Sequence, residues 1–163
     1  MTTKINFNGE ICDELSISVM DHGFLFGDSV YEVVSTHNNQ PCFLDKHLDR
    51  LNNSAQAISL RIPHDREWLR KQLKLTLVAA GNEESYIRII VTRGIGEINI
   101  DPSSCENPNI ILIVMDVTSY SQSFYEKGIQ VALVSIKRNP LDSLNPNIKT
   151  GNYLNNILAK MEA

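Results

Sequence analysis

The sequence predicts an α+β fold in which strands come first, two helices follow and strands then return. Three observations predict it. Short apolar stretches at 4–7 and 10–12 flank Asn8-Gly9, the turn chemistry of a tight hairpin. From Asp45 the apolar residues change to a three- and four-residue spacing. Beyond residue 84, SYIRIIVTRG and NIILIVMDV are β-branched runs with the length of buried strands.

Taken in order, the elements follow from local chemistry. After the first hairpin, ISVMDHGFLFGDS reads as a loop. VYEVVSTHNNQPCFLD then reads as a second hairpin, because β-branched residues flank an Asn-Asn turn. Leu48, Leu51, Ala55 and Ile58 define the apolar side of a helix that Asp45 is placed to cap, and His47, Arg50 and Ser54 share another side. In DREWLRKQLKLTLVAAG, Leu69, Leu73, Leu77 and Ala80 repeat the pattern, and Gly81 is the stop. A polar, proline-bearing connection at 96–109 separates the two central strands. SQSFYEKG reads as a short helix or turn, IQVALVSIKR as another strand, and NPLDSLNPNIKTG as a loop leading into the helix NYLNNILAKMEA. About 130 residues precede that last strand and helix, enough for a closed core, so the tail can open a second domain.

Composition removes several classes of function. With 42% apolar and 21% charged residues the chain can bury a real core. A net charge of -4 and no lysine and arginine run argue against a nucleic-acid partner. The longest aliphatic run, IILIVM, is too short to span a bilayer, and the amino terminus lacks the apolar stretch of a secretory signal. Three scattered cysteines form no CxxC pair, so neither a disulfide framework nor a zinc site is indicated, and the reduced cytoplasm is the expected compartment. No ligand cluster points to a metal.

Lys149 stands at a loop-to-helix junction, where positive potential disfavours a cation. A lysine desolvated there is an amine able to attack a carbonyl, while a lysine in solvent is a bland surface charge; position alone leaves both open. Arg50 either holds a phosphate through its fork or pairs with Asp49 on the helix surface. Arg88 and Arg93, five apart, point to opposite sides of a regular strand; each needs a partner, a substrate carboxylate or a structural acid. Phe26 and Tyr31 line a pocket or fill core. His22 is an acid or base, or a turn residue satisfied locally. TRGIGE lacks the following helix that would make its glycines a phosphate loop.

Together, DHGFLFGDSVYEVV, FLDKHLDRLNNSA, YIRIIVTRG and NIKTGNYLNNILAKMEA resemble the class IV aminotransferases, the fold type IV pyridoxal phosphate enzymes. That family includes branched-chain aminotransferases, D-amino acid aminotransferases and aminodeoxychorismate lyases. The resemblance covers essentially the whole chain and follows the family's order. It implies the family's N-terminal α/β sandwich domain over 1–120, with 121–163 as linker and first elements of an incomplete cofactor-binding domain. It implies pyridoxal 5'-phosphate as cofactor, Lys149 as the Schiff-base lysine, Arg50 on the phosphate and Tyr153 by the ring hydroxyl. Phe26, Tyr31 and Arg88 would form the substrate pocket of the branched-chain branch. An arginine at the position of Arg93 binds the carboxylate in the D-specific branch, but Ile95 stands where that branch has a histidine.

The resemblance therefore favours transamination between a branched-chain L-amino acid and a 2-oxo acid, in a homodimer. Cleavage of aminodeoxychorismate and D-amino acid transamination are the alternatives within the family. Family members continue past the lysine helix and supply there an acid opposite the pyridine nitrogen, so this chain alone is expected to be poorly active. In a reading of another class, it is a folded piece that only dimerises or binds ligands weakly.

Overall fold

In the computed structural model, which describes residues 2–117 and 120–163, six strands form one antiparallel sheet in the order β2-β1-β6-β5-β3-β4. The strands are β1 (Lys4–Phe7), β2 (Glu10–Cys12), β3 (Ser29–His37), β4 (Gln40–Pro41), β5 (Ser85–Thr92) and β6 (Asn109–Asp116). Among the described residues five α-helices accompany them: α1 (His22–Leu25), α2 (Leu44–Ala57), α3 (Arg66–Ala80), α4 (Gln122–Lys127) and α5 (Leu154–Glu162). The mixed α and β architecture with an antiparallel sheet agrees with the fold class read from the sequence.

Both hairpin turns form where turn residues predicted them. Asn8 and Gly9 lie at φ 51° and 102°, Asn38 and Asn39 at φ 51° and 59°, the left-handed pairs that a tight hairpin needs. In β3 and β5, side chains alternate between two faces. Val30, Val34, Ile87, Ile89, Val91, Ile110, Leu112 and Val114 point to one of them, where α2 and α3 cover them with Leu48, Leu51, Leu69 and Leu73. All of the residues in this buried cluster lie at or before Val114. The other face carries Tyr31, Tyr86, Arg88 and Ile90 and has none of these helices on it.

Three expectations need correction. The helix α2 starts at Leu44 with Phe43 as its N-cap, in the left-handed region at φ 50° and without a side-chain cap. Asp45 therefore lies in the first turn and takes a hydrogen bond from Arg70 instead of capping. The run IQVALVSIKR is not a strand: among the described residues no strand pairs with it, its partners being side chains of α5 such as Glu162, and Val131 and Leu133 face solvent. High β-propensity records fit to a pleated, half-buried surface, and without a neighbouring ladder it does not make a strand. Finally, α5 begins at Leu154, so Lys149 lies five residues before it and is not at a helix entrance.

The glycines of TRGIGE serve packing. Gly94 sits at φ 92°, and a Cβ there would lie 2.0 Å from the backbone oxygen of Asn107. Gly94→Ala is expected to cost about 2 kcal/mol or more through clash and strain together. A thermal melt unchanged from wild type would show that this approach is not required.

Candidate active site

Lys149 is fixed by backbone pairing. Residues 149–151 lie against the start of β3, on the side that β4 pairs only at Thr36 and His37, as a short antiparallel addition with Thr150 bridging Val30. The Tyr31 N–H donates to the Lys149 carbonyl at 3.0 Å, and the Gly151 N–H donates to the Ser29 carbonyl at 2.8 Å. Gly151 makes this approach feasible, since a Cβ there would fall 2.1 Å from the Ser29 hydroxyl. Because Lys149 is paired beside Tyr31, their side chains leave the strand edge on the same side, away from the packed core. The Lys149 Nζ stands 4.2 Å from the centre of the Tyr31 ring and donates to the Tyr153 hydroxyl at 3.3 Å.

Around this amine the fold assembles side chains from distant segments. The Tyr153 and Tyr31 rings are 5.4 Å apart. Arg88, diagonal to Tyr31 across the β3–β5 ladder, places its guanidinium carbon 4.1 Å from that ring's centre. Arg88 faces Val33 on one side and Ile113 on the other, and among the described residues no carboxylate pairs with it. A cleft of about 420 Å³ opens beside Lys149, with Arg50, Arg138, Thr150 and Tyr153 in its wall.

Burial raises the Tyr31 phenol well above its ordinary value, and the neighbouring Tyr153 adds to this. Burial would also raise Tyr153, but the adjacent Tyr31 hydroxyl and Lys149 ammonium outweigh it, and Tyr153 is lowered. Of the two phenols, only Tyr153 is lowered, and it is the one that meets the amine.

Arg50 does not pair with Asp49, which holds Arg66. Its Nε and Nη2 donate to the two oxygens of Glu32 at 2.5 and 2.7 Å, and His47 Nδ1 lies 2.8 Å from the same carboxylate. Glu32 is fully buried while the Arg50 side chain is 53% exposed. Burial by itself would raise the Glu32 carboxyl; Arg50 and His47 outweigh it and hold it below the ordinary carboxylate value. The fork is thereby oriented by two bonds, and among the described residues Nη1 has no protein acceptor. Glu32 was not singled out from the sequence, yet a signal was present. In SVYEVV it alternates onto the same face as Val30 and Val34, where an unpartnered carboxylate would be anomalous.

The other candidates lie elsewhere. Arg93 follows the end of β5, is 8% exposed, and donates to both oxygens of Asp28 and to the carbonyls of Ile58 and Ser59. It emerges on the side opposite Arg88, as their separation implies, and does not line the cleft; its bonds are internal rather than turned to a ligand. Phe26 packs edge-on against His22 at 4.9 Å and is not in the cleft wall. His22 is buried, and its Nε2 meets the Glu97 carbonyl at 2.9 Å, so its partner is 75 residues away and not local. Among the described residues no group of acids, histidines and cysteines could hold a metal ion, and no helix is long and apolar enough to cross a membrane.

Residues 29–163 match the family described as Amino-transferase class IV. A Methanocaldococcus jannaschii protein assigned by name as a branched-chain-amino-acid aminotransferase is 38% identical over 162 residues, covering 98% of this chain and 55% of its own length. A D-alanine aminotransferase of Listeria monocytogenes is 32% identical, over 93% of this chain and 52% of its own. The solved branched-chain aminotransferase of the archaeon Thermoproteus uzoniensis, with norvaline, superposes with a TM-score of 0.86 at 26% identity, over 100% of this chain and 56% of that one. The chain spans about half the length of these relatives.

Proposed function

The chain belongs to the class IV aminotransferases, and from that premise we propose that it carries part of a pyridoxal 5'-phosphate-dependent site for transamination between a branched-chain L-amino acid and a 2-oxo acid. The observation that carries the reading is that Lys149, Tyr153 and Arg50, from two separate segments, share one cleft wall, while the Tyr31 ring adjoins Lys149 and Tyr153 and carries Arg88 against it. The donor set fits the group. An aldehyde with a phosphate needs one accessible amine, a cation with free N–H groups and a donor near the ring oxygen, and Lys149, Arg50 Nη1 and Tyr153 answer these three needs.

When bound, pyridoxal 5'-phosphate supplies an electron sink that lowers the cost of removing the substrate α-proton. The chain's own residues do the rest. Lys149 would hold the cofactor through Nζ and, once released from it, move the proton at the α-carbon. Arg50, oriented by Glu32, would take the phosphate. Tyr153, lowered beside the amine, would accept a hydrogen bond from Lys149 and steady its position. Arg88, braced on Tyr31 without an acid of its own, would receive a carboxylate. The internal bonding of Arg93 weighs against the D-specific reading, which rests on that arginine. We take residues 1–120 as one domain because the buried cluster ends at Val114, and 121–163 as the opening of the next. A homodimer is part of the same proposal.

The test is a visible-wavelength titration of the chain with pyridoxal 5'-phosphate, followed by borohydride reduction and peptide mapping. Wild type is expected to give saturable labelling at Lys149, and Lys149→Ala to lose it entirely. Adding L-leucine before reduction is expected to suppress labelling more than D-alanine does. Equal labelling of surface lysines in both proteins would overturn the reading.

A further inference from the structure

Ser54 lies in the last turn of α2, on its buried side. Serine is a modest helix former, and at 3% exposure it has no access to water. Its hydroxyl accepts a hydrogen bond from the backbone N–H of Lys149 at 3.1 Å, a contact across 95 residues. The pairing at the edge of β3 explains why this bond is needed. Tyr31 and Lys149 stand opposite each other, and a regular antiparallel pair of this kind exchanges two N–H···O bonds. Only one is made here, from the Tyr31 N–H to the Lys149 carbonyl. The Lys149 N–H goes to α2 instead, and without Ser54 a largely enclosed backbone donor would have no partner.

Ser54 follows Arg50 by four residues, so both project from one side of α2. The helix therefore offers two fixed points: the Arg50 fork in the cleft wall, set by Glu32, and the buried Ser54 hydroxyl, which sets the backbone of Lys149. We propose that Ser54 is a positioning residue that fixes the amine of Lys149 relative to Arg50, so that a phosphate held by the arginine brings its aldehyde within reach of the lysine. This rests on the cofactor reading above. It goes beyond it by assigning the spacing between phosphate site and amine to one hydroxyl on a helix.

The experiment compares wild type, Ser54→Ala and Ser54→Thr by two readouts. The first is amide hydrogen exchange without ligand. Ser54→Ala is expected to speed exchange at Lys149 at least tenfold, leave Ile89 within twofold, and be rescued by threonine. The second compares two ligands. Covalent capture of pyridoxal 5'-phosphate should weaken at least fivefold in Ser54→Ala, while binding of pyridoxine 5'-phosphate, an alcohol that cannot bond to the amine, stays within twofold. Unchanged exchange at Lys149, unchanged capture, or equal loss of both ligands would each overturn the role of Ser54. If wild type captures no cofactor, the cofactor reading falls and this positioning role falls with it; the exchange result then still decides whether Ser54 holds the Lys149 backbone.

Discussion

Arg93→Ala is expected to destabilise the fold by about 3–5 kcal/mol, the range for removing one partner of a buried ion pair. Arg93 ties three segments together. Its guanidinium meets Asp28 at 2.8 and 3.0 Å, and it donates to the Ile58 and Ser59 carbonyls at 2.7 and 2.8 Å. Those carbonyls end α2, where the helix dipole favours a cation. Alanine would leave both without their donor and the Asp28 carboxylate without its counter-charge. Asp28 also precedes Ser29, which pairs with Gly151, so loosening it reaches the strand edge that holds Lys149. For a chain of this length the loss corresponds to roughly 10 °C in Tm. Arg93→Lys should recover only a part, because an ammonium cannot match the planar fork. A calorimetric melt of Arg93→Ala within a degree or two of wild type would contradict this role.

The second large effect concerns Glu32 and its dependence on pH. Its carboxyl is lowered in the folded chain, so its contribution is fully present above about 4.5, the ordinary value, and is lost as pH falls through the folded value. Wild type should accordingly weaken on acidification below that point. Arg50→Ala leaves the buried carboxylate with His47 alone. Because Arg50 is half-exposed and screened by solvent, we expect a loss of about 3 kcal/mol at neutral pH, at the low end for breaking a buried pair. In that variant protonation of Glu32 relieves the burial of its charge, so the acid-side slope should flatten or reverse. Urea unfolding at pH 7 and pH 4 checks this; parallel curves for the two proteins would show that Arg50 does not hold Glu32.

Features that depend on neighbours in the chain were legible in the sequence. Asn8-Gly9 and Asn38-Asn39 take the left-handed conformations that their short side chains tolerate. The spacing of Leu69, Leu73 and Ala80 encodes a buried helix side, and Gly81 ends that helix at φ 63°. The motifs around Arg50, Arg88, Lys149 and Tyr153 also pointed to one chemistry; Arg50, Lys149 and Tyr153 lie in one cleft wall, and Arg88 and Lys149 both meet the Tyr31 ring.

Tertiary structure decided what depends on residues far apart. The 129–138 run has strand-like composition but, among the described residues, no strand beside it, because a ladder requires a second chain segment that composition does not specify. Lys149 is placed by pairing with β3 and by Ser54, not by a helix entrance as its neighbours suggested. Arg88 and Arg93 look alike in YIRIIVTRG; one faces an aromatic ring and the other closes on Asp28. The sequence by itself determined the elements and the family of chemistry, since backbone preference and side-chain period act over a few residues. Only the packed sheet and α2 determined which arginine lies against the Tyr31 ring and which becomes an internal tie, since charge pairing and burial act between segments that folding alone brings into contact.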